Sequence, residues 1–331
     1  MRKIIMDVDT GSDDAIALLA AVSSPQLELL AVTTVAGNKR LENTTDNTLR
    51  VLQLAGAQTP VYAGCREPLV CKLLPGRRGG YDGMTGVKGD VDEAGKKIEY
   101  HSDELPLPKA ALQPQPRHAV FYLVDTLLHA AEPITLVVTG PMTNIAMALR
   151  IEPGIARNIE QLVFMGGGFK EFNSTAAAEF NIWCDPEAAQ IVLTSGVPLV
   201  MVPLDATHQA NFTLEDAAEL RAFGTPATCF AADVIESRVT AYNAYQPQRL
   251  ADSAPLHDAL ALAWLIDPQV LRDVRAMRVD VDISGGFADG QTICDTRAYP
   301  DRPVNVRVAL GADRPRFVAL IKQLLKAVPT A

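Results

Sequence analysis

Four aspartates lie within eight residues near the start of this 331-residue chain, at Asp7, Asp9, Asp13 and Asp14. Carboxylates this close repel one another unless they are protonated or share a cation. Ligands that are all oxygen atoms suit Ca²⁺ or Mg²⁺. Helix capping or solvated surface charge would explain Asp13 or Asp14, but Asp7 and Asp9 continue an apolar run at its end. The spacing therefore predicts a cation site.

The elements that must position these carboxylates alternate between strand and helix. Residues 2–8 are typical of a short strand, Gly11 of a turn, and Ser12 or Asp13 of a helix N-cap, and Asn144 is expected to cap a later helix. We also expect strands over 27–35, 61–64, 134–139, 161–165 and 198–202. Helices are expected over 42–55, 118–131, 257–266 and 314–328, and another helix should begin at Asp185-Pro186-Glu187. The stretch 213–244 is expected to be mainly helical, and 276–312 to contain strands and turns. This alternation predicts an α/β fold with an open, mostly parallel, Rossmann-like sheet and helices on both faces.

An open parallel sheet binds its ligands outside the carboxyl ends of its strands. The first aspartates, Asn38, Thr139 and the glycines at 166–168 all follow expected strands, so we expect them to meet in one active site at that edge. The region 64–116 is rich in glycine, proline and charge, and is interpreted as an irregular loop region flanking the site. Because no convincing linker occurs, residues 1–331 are expected to form a single domain.

The bulk composition restricts partners and location. A net charge of −9 disfavours nucleic acid and anionic membranes, because like charges repel. Five cysteines without a CxxC pair predict reduced thiols, and no stretch is typical of a signal peptide or a membrane span. We therefore expect a cytoplasmic protein that acts on a small molecule, with no nucleic-acid and no membrane partner.

Five segments carry the most distinctive residue patterns: Asp7-Val8-Asp9-Thr10-Gly11-Ser12-Asp13-Asp14-Ala15; Val35-Ala36-Gly37-Asn38; Thr139-Gly140-Pro141-Met142-Thr143-Asn144-Ile145-Ala146; Glu179-Phe180-Asn181 with Asp185-Pro186-Glu187-Ala188-Ala189; and Pro255-Leu256-His257-Asp258-Ala259-Leu260-Ala261. In this order they resemble the nucleoside hydrolase family, the inosine-uridine preferring nucleoside N-ribohydrolases. The resemblance implies hydrolysis of the N-glycosidic bond of ribonucleosides to free base and ribose, a Ca²⁺ cofactor, a role in purine or pyrimidine salvage, and a homodimer or homotetramer.

The resemblance also implies roles for the acidic residues of the site. Asp9, Asp14 and Asp258 match calcium ligands, and Thr139 matches a ligand that binds through its backbone carbonyl. Asp13 matches the general base that activates a calcium-bound water. The reaction would then pass through an oxocarbenium-like transition state.

Substrate-binding residues follow from the same match. Asn38, Glu179 and Asn181 match residues that bind the ribose hydroxyls, and Met165 matches a methionine packed under the sugar. His257 lies where some members place a catalytic histidine near the leaving base. The alternative is that His257 only caps the helix that follows it.

The residues expected around the leaving base depart from the family pattern. Many members have a His-Gly pair in the loop that corresponds to 76–86, and this sequence has no histidine there. Tyr81 could stack on a base or donate a proton, or simply lie in a flexible glycine-rich loop. Trp183 and Tyr242 are further candidates for base contact, with packing and a solvated helix end as their respective alternatives. Asp7 is expected to support the site from behind.

Two other functions stay open at the level of sequence. A haloacid-dehalogenase-type phosphatase also begins with an apolar strand into Asp-x-Asp and would use Asp7 as nucleophile with Mg²⁺, but its later lysine and paired-aspartate motifs are not found. A non-catalytic calcium- and ribose-binding protein would require a damaged base or ligand set, whereas Asp13 and the matching ligands are present.

Overall fold

The structure is a computed structural model that describes residues 1–70, 73, 74, 77, 91, 95, 98–297 and 302–329. The strands are β1 (Arg2–Val8), β2 (Leu27–Thr34), β3 (Val61–Ala63), β4 (Ile134–Val138), β5 (Ile159–Met165), β6 (Leu199–Val202), β7 (Asn211–Thr213), β8 (Ser253–Pro255), β9 (Leu271–Val281), β10 (Thr292–Asp295) and β11 (Val306–Ala312). The helices are α1 (Ser12–Ser23), α2 (Leu41–Leu54), α3 (Ala119–Leu128), α4 (Thr143–Ile151), α5 (Phe180–Cys184), α6 (Pro186–Leu193), α7 (Leu204–Thr207), α8 (Leu214–Ala222), α9 (Pro226–Tyr245), α10 (His257–Ile266) and α11 (Arg314–Lys326). No helix in these ranges is long and apolar enough to cross a membrane.

Nine strands form the central sheet in the order β10-β9-β11-β6-β5-β4-β1-β2-β3, and β7 pairs separately with β8. Every pairing from β11 to β3 is parallel, whereas β9 is antiparallel to both of its neighbours. The prediction of an open, mostly parallel sheet is therefore confirmed. The antiparallel edge arises because a loop over 282–291, with no crossover helix, joins β9 to β10.

Helices cover both faces of the sheet because successive side chains of a strand point in opposite directions. In β1, Ile4, Met6 and Val8 join the core on the side of α1, whereas Ile5 joins the core that includes Ile145 of α4. Helices α2, α10 and α11 contact α1, and α3 and α6 contact α4. A strand of a parallel sheet is buried on both faces and is therefore apolar along its length. For this reason the carboxylates next to β1 come only after the strand has left the core.

The predicted N-cap of α1 is wrong. Gly11 occupies that position instead of Ser12 or Asp13, and the Asp14 carboxylate accepts a hydrogen bond from the Gly11 backbone amide at 3.0 Å. The physical reason is tertiary packing, because the Ser12 backbone amide donates to Nδ1 of His101 at 3.1 Å. Gly11 is needed there, since an added Cβ would lie 2.2 Å from that same nitrogen.

Asn144 was also predicted as a helix cap, and that prediction is wrong too. The N-cap of α4 is Met142, and it makes no side-chain cap hydrogen bond. The Asn144 amide turns into the protein instead, where it donates to the Asp7 carboxylate at 2.8 Å and to the Thr34 carbonyl at 3.0 Å, and accepts from the Cys65 amide at 2.8 Å. These buried partners satisfy the Asn144 side chain, which is therefore not available to cap α4.

The region 64–116 contains no α-helix and no extended strand in the part that the structure describes. Its second half is nevertheless tied to α2. Asn47 accepts from the Leu105 amide at 2.9 Å, and Arg50 donates to the Leu105 carbonyl at 3.5 Å. These bonds fix the segment that places His101 over the start of α1.

Candidate active site

Carboxylates from two helices meet beyond the carboxyl end of β1. Asp13 and Asp14 lie in the first turn of α1 and Asp258 in the first turn of α10, and one oxygen atom of each lies within 4.8 Å of the others. Asp9 follows β1 and is fully buried. Thr139, which follows the adjacent β4, donates through Oγ1 to Asp14 at 2.8 Å. The fold thus brings the distant Asp258 to the acids of the N-terminus.

Burial and mutual repulsion raise the pKa values of these acids. Burial raises the pKa of Asp14 to about 6, and the Asp13 charge adds to this effect. The pKa values of Asp9 and Asp258 are raised well above their usual range by burial and by the neighbouring aspartates. A divalent cation would relieve this repulsion, and carboxylate oxygens are ligands that such ions accept. The donor set therefore fits a divalent cation.

The raised pKa values predict that the protein without a bound cation loses stability as the pH rises from 6.5 to 8. Burial raises the pKa of Asp7 and of Glu179 to about 7 and raises that of Asp258 well above its usual range, so these groups keep protons that the unfolded chain has already released. The free energy of unfolding then falls by up to about 1.4 kcal/mol per pH unit for each protonated group. His101 and His257 oppose this trend only near pH 6.5, because burial lowers their pKa values well below the usual 6.5 and the unfolded chain releases its remaining histidine protons just above that pH.

Denaturant unfolding at both pH values in the presence of a chelator measures this dependence. The control is the same experiment at a saturating concentration of divalent cation, which should reduce the slope, because a bound cation keeps Asp258 ionised while Asp7 and Glu179 still titrate. Equal free energies of unfolding at the two pH values without the cation would contradict the prediction.

Asn38 holds Asp9 from the loop after β2. Its backbone amide donates to Oδ2 of Asp9 at 2.6 Å, and its Nδ2 donates to Oδ1 of Asp9 at 3.2 Å and to Asp14 at 3.4 Å. Gly37 permits this close approach, since an added Cβ there would lie 2.1 Å from the Asp9 carboxylate. Asn38, predicted to bind a ribose hydroxyl, therefore lies directly beside the carboxylate cluster.

Glu179 and Asn181 connect helix α5 to the ends of β4 and β5. Glu179 accepts from the backbone amides of Gly167 at 2.7 Å and Asn181 at 3.0 Å. Nδ2 of Asn181 donates to the Thr139 carbonyl at 2.7 Å and to the Met165 carbonyl at 3.1 Å. These contacts join the residues predicted for sugar binding to the carbonyl predicted as a calcium ligand.

A narrow pocket of about 30 Å³ lies against these side chains. Its lining residues are Asp13, Asn38, Tyr100, His101, Thr139, Met165, Asn173, Glu179, Phe180, Asn181, Arg238, Tyr242, His257 and Asp258. Most of the predicted site residues are therefore brought together in one cavity. Small-molecule pockets typically measure about 300–1,000 Å³, so this cavity is narrow by comparison.

The remaining predicted residues lie elsewhere. Asp9 and Asp14 are fully buried and contact the lining residue Asn38. Trp183 is not among the lining residues, and its backbone lies against Gly290. Tyr81 lies outside the described residues.

Asp7 lies behind the site, as expected for a supporting residue. It is 1% exposed and accepts from Thr33 at 2.5 Å and from Asn144 at 2.8 Å, while its second carboxylate oxygen has no hydrogen-bond partner in the described structure. Asp7 is buried, its carboxylate is held by Thr33 and Asn144, and it does not line the pocket, which disfavours the nucleophile role that the phosphatase alternative requires.

Sequence reasoning missed Arg238, a buried cation in α9. Its Nη1 donates to Asp13 at 2.9 Å and to Ser12 Oγ at 2.7 Å, and its Nε donates to the Pro255 carbonyl at 3.0 Å. The one pattern that could have revealed it is a single arginine among the apolar positions of a helix, since a buried guanidinium needs a partner.

His101 was missed as well, because it lies in the irregular region where no periodicity or motif indicates a position. Its Nδ1 lies 3.9 Å from the Asp13 carboxylate. Burial lowers the pKa of His101 well below its usual range, and the charges of Arg238 and Lys39 lower it further. The imidazole is therefore neutral near pH 7.

His257 makes two hydrogen bonds inside the protein. Its Nε2 lies 2.6 Å from the Tyr242 hydroxyl, and its Nδ1 lies 2.7 Å from Oγ1 of Thr207. The helix-cap alternative is wrong, since the N-cap of α10 is Leu256 and no side chain caps this helix. A direct contact between His257 and the leaving base stays a prediction.

The fold and the site define an α/β protein with a buried carboxylate cluster and a polar small-molecule pocket at the carboxyl edge of its sheet. The family model of the inosine-uridine preferring nucleoside hydrolases matches residues 4–319. The chain therefore belongs to this family, whose members cleave the N-glycosidic bond of nucleosides.

Individual relatives agree with this assignment. The chain is 38% identical over 325 residues to the pyrimidine-specific ribonucleoside hydrolase RihA of Photobacterium profundum, covering 98% of both chains. It is also 38% identical to RihB of Escherichia coli (strain K12 / DH10B), covering 98% of this chain and 97% of the relative. The solved structure of a purine-preferring ribonucleoside hydrolase from Gardnerella vaginalis superposes with a TM-score of 0.85 at 30% identity, covering 99% of both chains.

Proposed function

We propose that this enzyme hydrolyses ribonucleosides to free base and ribose with Asp13 as the general base and Ca²⁺ as the cofactor. One observation carries the proposal: Asp13 and Asp258 of the carboxylate cluster line the same pocket as the residues matched to sugar binding. Asp13 belongs to the cluster and also faces the pocket. It can therefore act on a water molecule held beside the sugar.

The residues around the pocket suit a reaction at the anomeric carbon of ribose. Asn38, Glu179 and Asn181 would orient the hydroxyls through amide and carboxylate groups, and Met165 would pack under the ring. Departure of the base leaves an oxocarbenium-like ribosyl group, and the surrounding carboxylates favour its positive charge. Asp13 accepts the proton of the water that attacks this carbon.

The cation would be held by Asp9, Asp14, Asp258 and the Thr139 carbonyl. Bound Ca²⁺ would make water more acidic and would order two vicinal hydroxyls of the ribose. The raised pKa values of the buried aspartates support this assignment, because they show how strongly the cluster favours an added positive charge.

We propose pyrimidine ribonucleosides as the preferred substrates. The relatives named pyrimidine-specific share 38% of their residues with this chain, compared with 30% for the purine-preferring enzyme. The phosphatase and binding-protein alternatives are not favoured, because Asp7 lies outside the pocket and the proposed base and ligands are all present.

The test is release of free ribose from uridine, cytidine, inosine and adenosine in buffer without phosphate. We expect release that a calcium chelator abolishes, and that is fastest with the pyrimidines. Deoxyuridine is the matched control, because a site that binds the 2′-hydroxyl discriminates strongly against its absence. Release from no nucleoside would contradict the function, whereas faster release from the purines would contradict only the base preference.

A further inference from the structure

Arg238 has a hydrogen-bond donor that the protein does not use. The residue is 1% exposed and lines the pocket. Its Nε and Nη1 donate to Pro255, Ser12 and Asp13, whereas Nη2 has no partner in the part of the chain that the structure describes. Because Arg238 lines the pocket, Nη2 is suited to an acceptor that arrives with the ligand.

His101 offers a second donor to the same pocket. The Ser12 backbone amide donates to Nδ1 of His101 at 3.1 Å, so that nitrogen must supply a lone pair. A neutral imidazole then carries its proton on Nε2. The imidazole lines the pocket, and no hydrogen bond of Nε2 within the described residues competes for this donor.

Neither donor belongs to the elements that carry the sugar-binding residues. Arg238 lies on α9, with its guanidinium carbon 5.4 Å from the centre of the Tyr242 ring, and His101 lies in the irregular region. The nearby Tyr242 hydroxyl is already engaged by His257 at 2.6 Å. This part of the pocket therefore presents hydrogen-bond donors and a fixed positive charge to the group attached to the sugar, which in a nucleoside is the base.

We infer that Arg238 and His101 bind the carbonyl oxygen of the departing base and stabilise that base as an anion. This inference rests on the proposed function and deepens it. The C1′–N bond breaks, its electron pair stays on the ring nitrogen, and the charge spreads to the conjugated carbonyl oxygen beside the guanidinium. The water oxygen bonds to C1′ and its proton passes to Asp13, and the released base takes a proton from solvent.

The substrate class follows from this chemistry. A base whose glycosidic nitrogen is conjugated to a ring carbonyl can place negative charge on an oxygen, as the uracil ring does. Adenine has no carbonyl oxygen, so donors positioned for such an oxygen match it less well. With these donors in place, proton transfer to the base is unnecessary, because a preorganised cation stabilises the negative charge as it develops.

The test compares uridine with 4-nitrophenyl riboside in Arg238→Met. The nitrophenolate is a good leaving group that needs little help, whereas both substrates need the same water and the same base. We expect kcat/KM for uridine to fall about 10²–10³-fold more than kcat/KM for the nitrophenyl riboside. His101→Phe should also lower the ratio of kcat/KM for uridine to kcat/KM for the nitrophenyl riboside, by about tenfold, because one neutral donor is lost.

Two further variants keep the test decisive. Arg238→Lys covers the case in which the methionine variant fails to fold, because lysine keeps a positive charge beside Asp13. It should still lower the ratio, because lysine lacks the donor that Nη2 of arginine directs to the base. Arg314→Met removes an arginine that forms a similar ion pair with Asp216 away from the pocket, and it should leave the ratio unchanged. Equal losses for both substrates would overturn the inference, since Arg238 would then act only through Asp13. A wild-type protein inactive on both would overturn the proposed function itself.

Discussion

Replacing Asp13 by asparagine is expected to lower kcat by about 10²–10⁴-fold while the protein stays folded. The carbonyl oxygen of asparagine can still accept the hydrogen bond that Arg238 donates at 2.9 Å. The amide cannot take a proton from water, so only the chemical step is lost. Calcium binding should survive, because Asp9, Asp14 and Asp258 remain.

The choice of asparagine over alanine follows from the structure. Asp13→Ala would leave the buried Arg238 guanidinium with neither a counter-charge nor the hydrogen-bond acceptor that asparagine keeps, which costs about 3–5 kcal/mol of stability. Steady-state kinetics on uridine and a thermal unfolding curve would separate the two effects. Asp216→Asn is the matched control, because Asp216 is a buried aspartate paired with Arg314 and does not line the pocket. A kcat for Asp13→Asn within tenfold of wild type would refute the assignment of the base.

Replacing Asp258 by asparagine is expected to abolish calcium binding at millimolar concentrations and to lower kcat/KM by about 10²–10⁴-fold, the loss of several kcal/mol of transition-state stabilisation. The same change should raise the unfolding temperature of the calcium-free protein. Burial and the charges of Asp13, Asp14 and Asp9 raise the pKa of Asp258, so its ionised form is unfavourable when no cation is bound.

Calorimetric titration with calcium and unfolding curves with and without a chelator would test both effects. The wild-type protein should gain about 2.7 kcal/mol when calcium is present at 100 times its dissociation constant, and Asp258→Asn should gain nothing. Asp185→Asn is the control, since Asp185 is a fully buried aspartate that caps α6 and should keep the calcium response. A normal calcium response in Asp258→Asn would exclude this residue as a ligand.

The sequence by itself determined the architecture and predicted most of the carboxylate cluster. The apolar run of β1 ending in Asp7-Val8-Asp9 predicted both a buried strand and carboxylates where that strand leaves the core. The same logic placed Asn38 and Thr139 at one edge of the sheet. These predictions worked because burial on both faces makes a parallel strand apolar along its length, and its carboxyl end is then the first place where polar groups appear.

Only the tertiary structure decided which side chains meet inside the site. Arg238 reaches Asp13 from α9, and His101 reaches Gly11 from a region without periodicity. Asn144 lies between β4 and the body of α4, where a helix cap is expected. Its side chain donates a hydrogen bond to Asp7 instead. Local sequence patterns report the backbone and the buried face of one element at a time. Contacts between side chains of distant elements depend on how those elements pack, which no local pattern records.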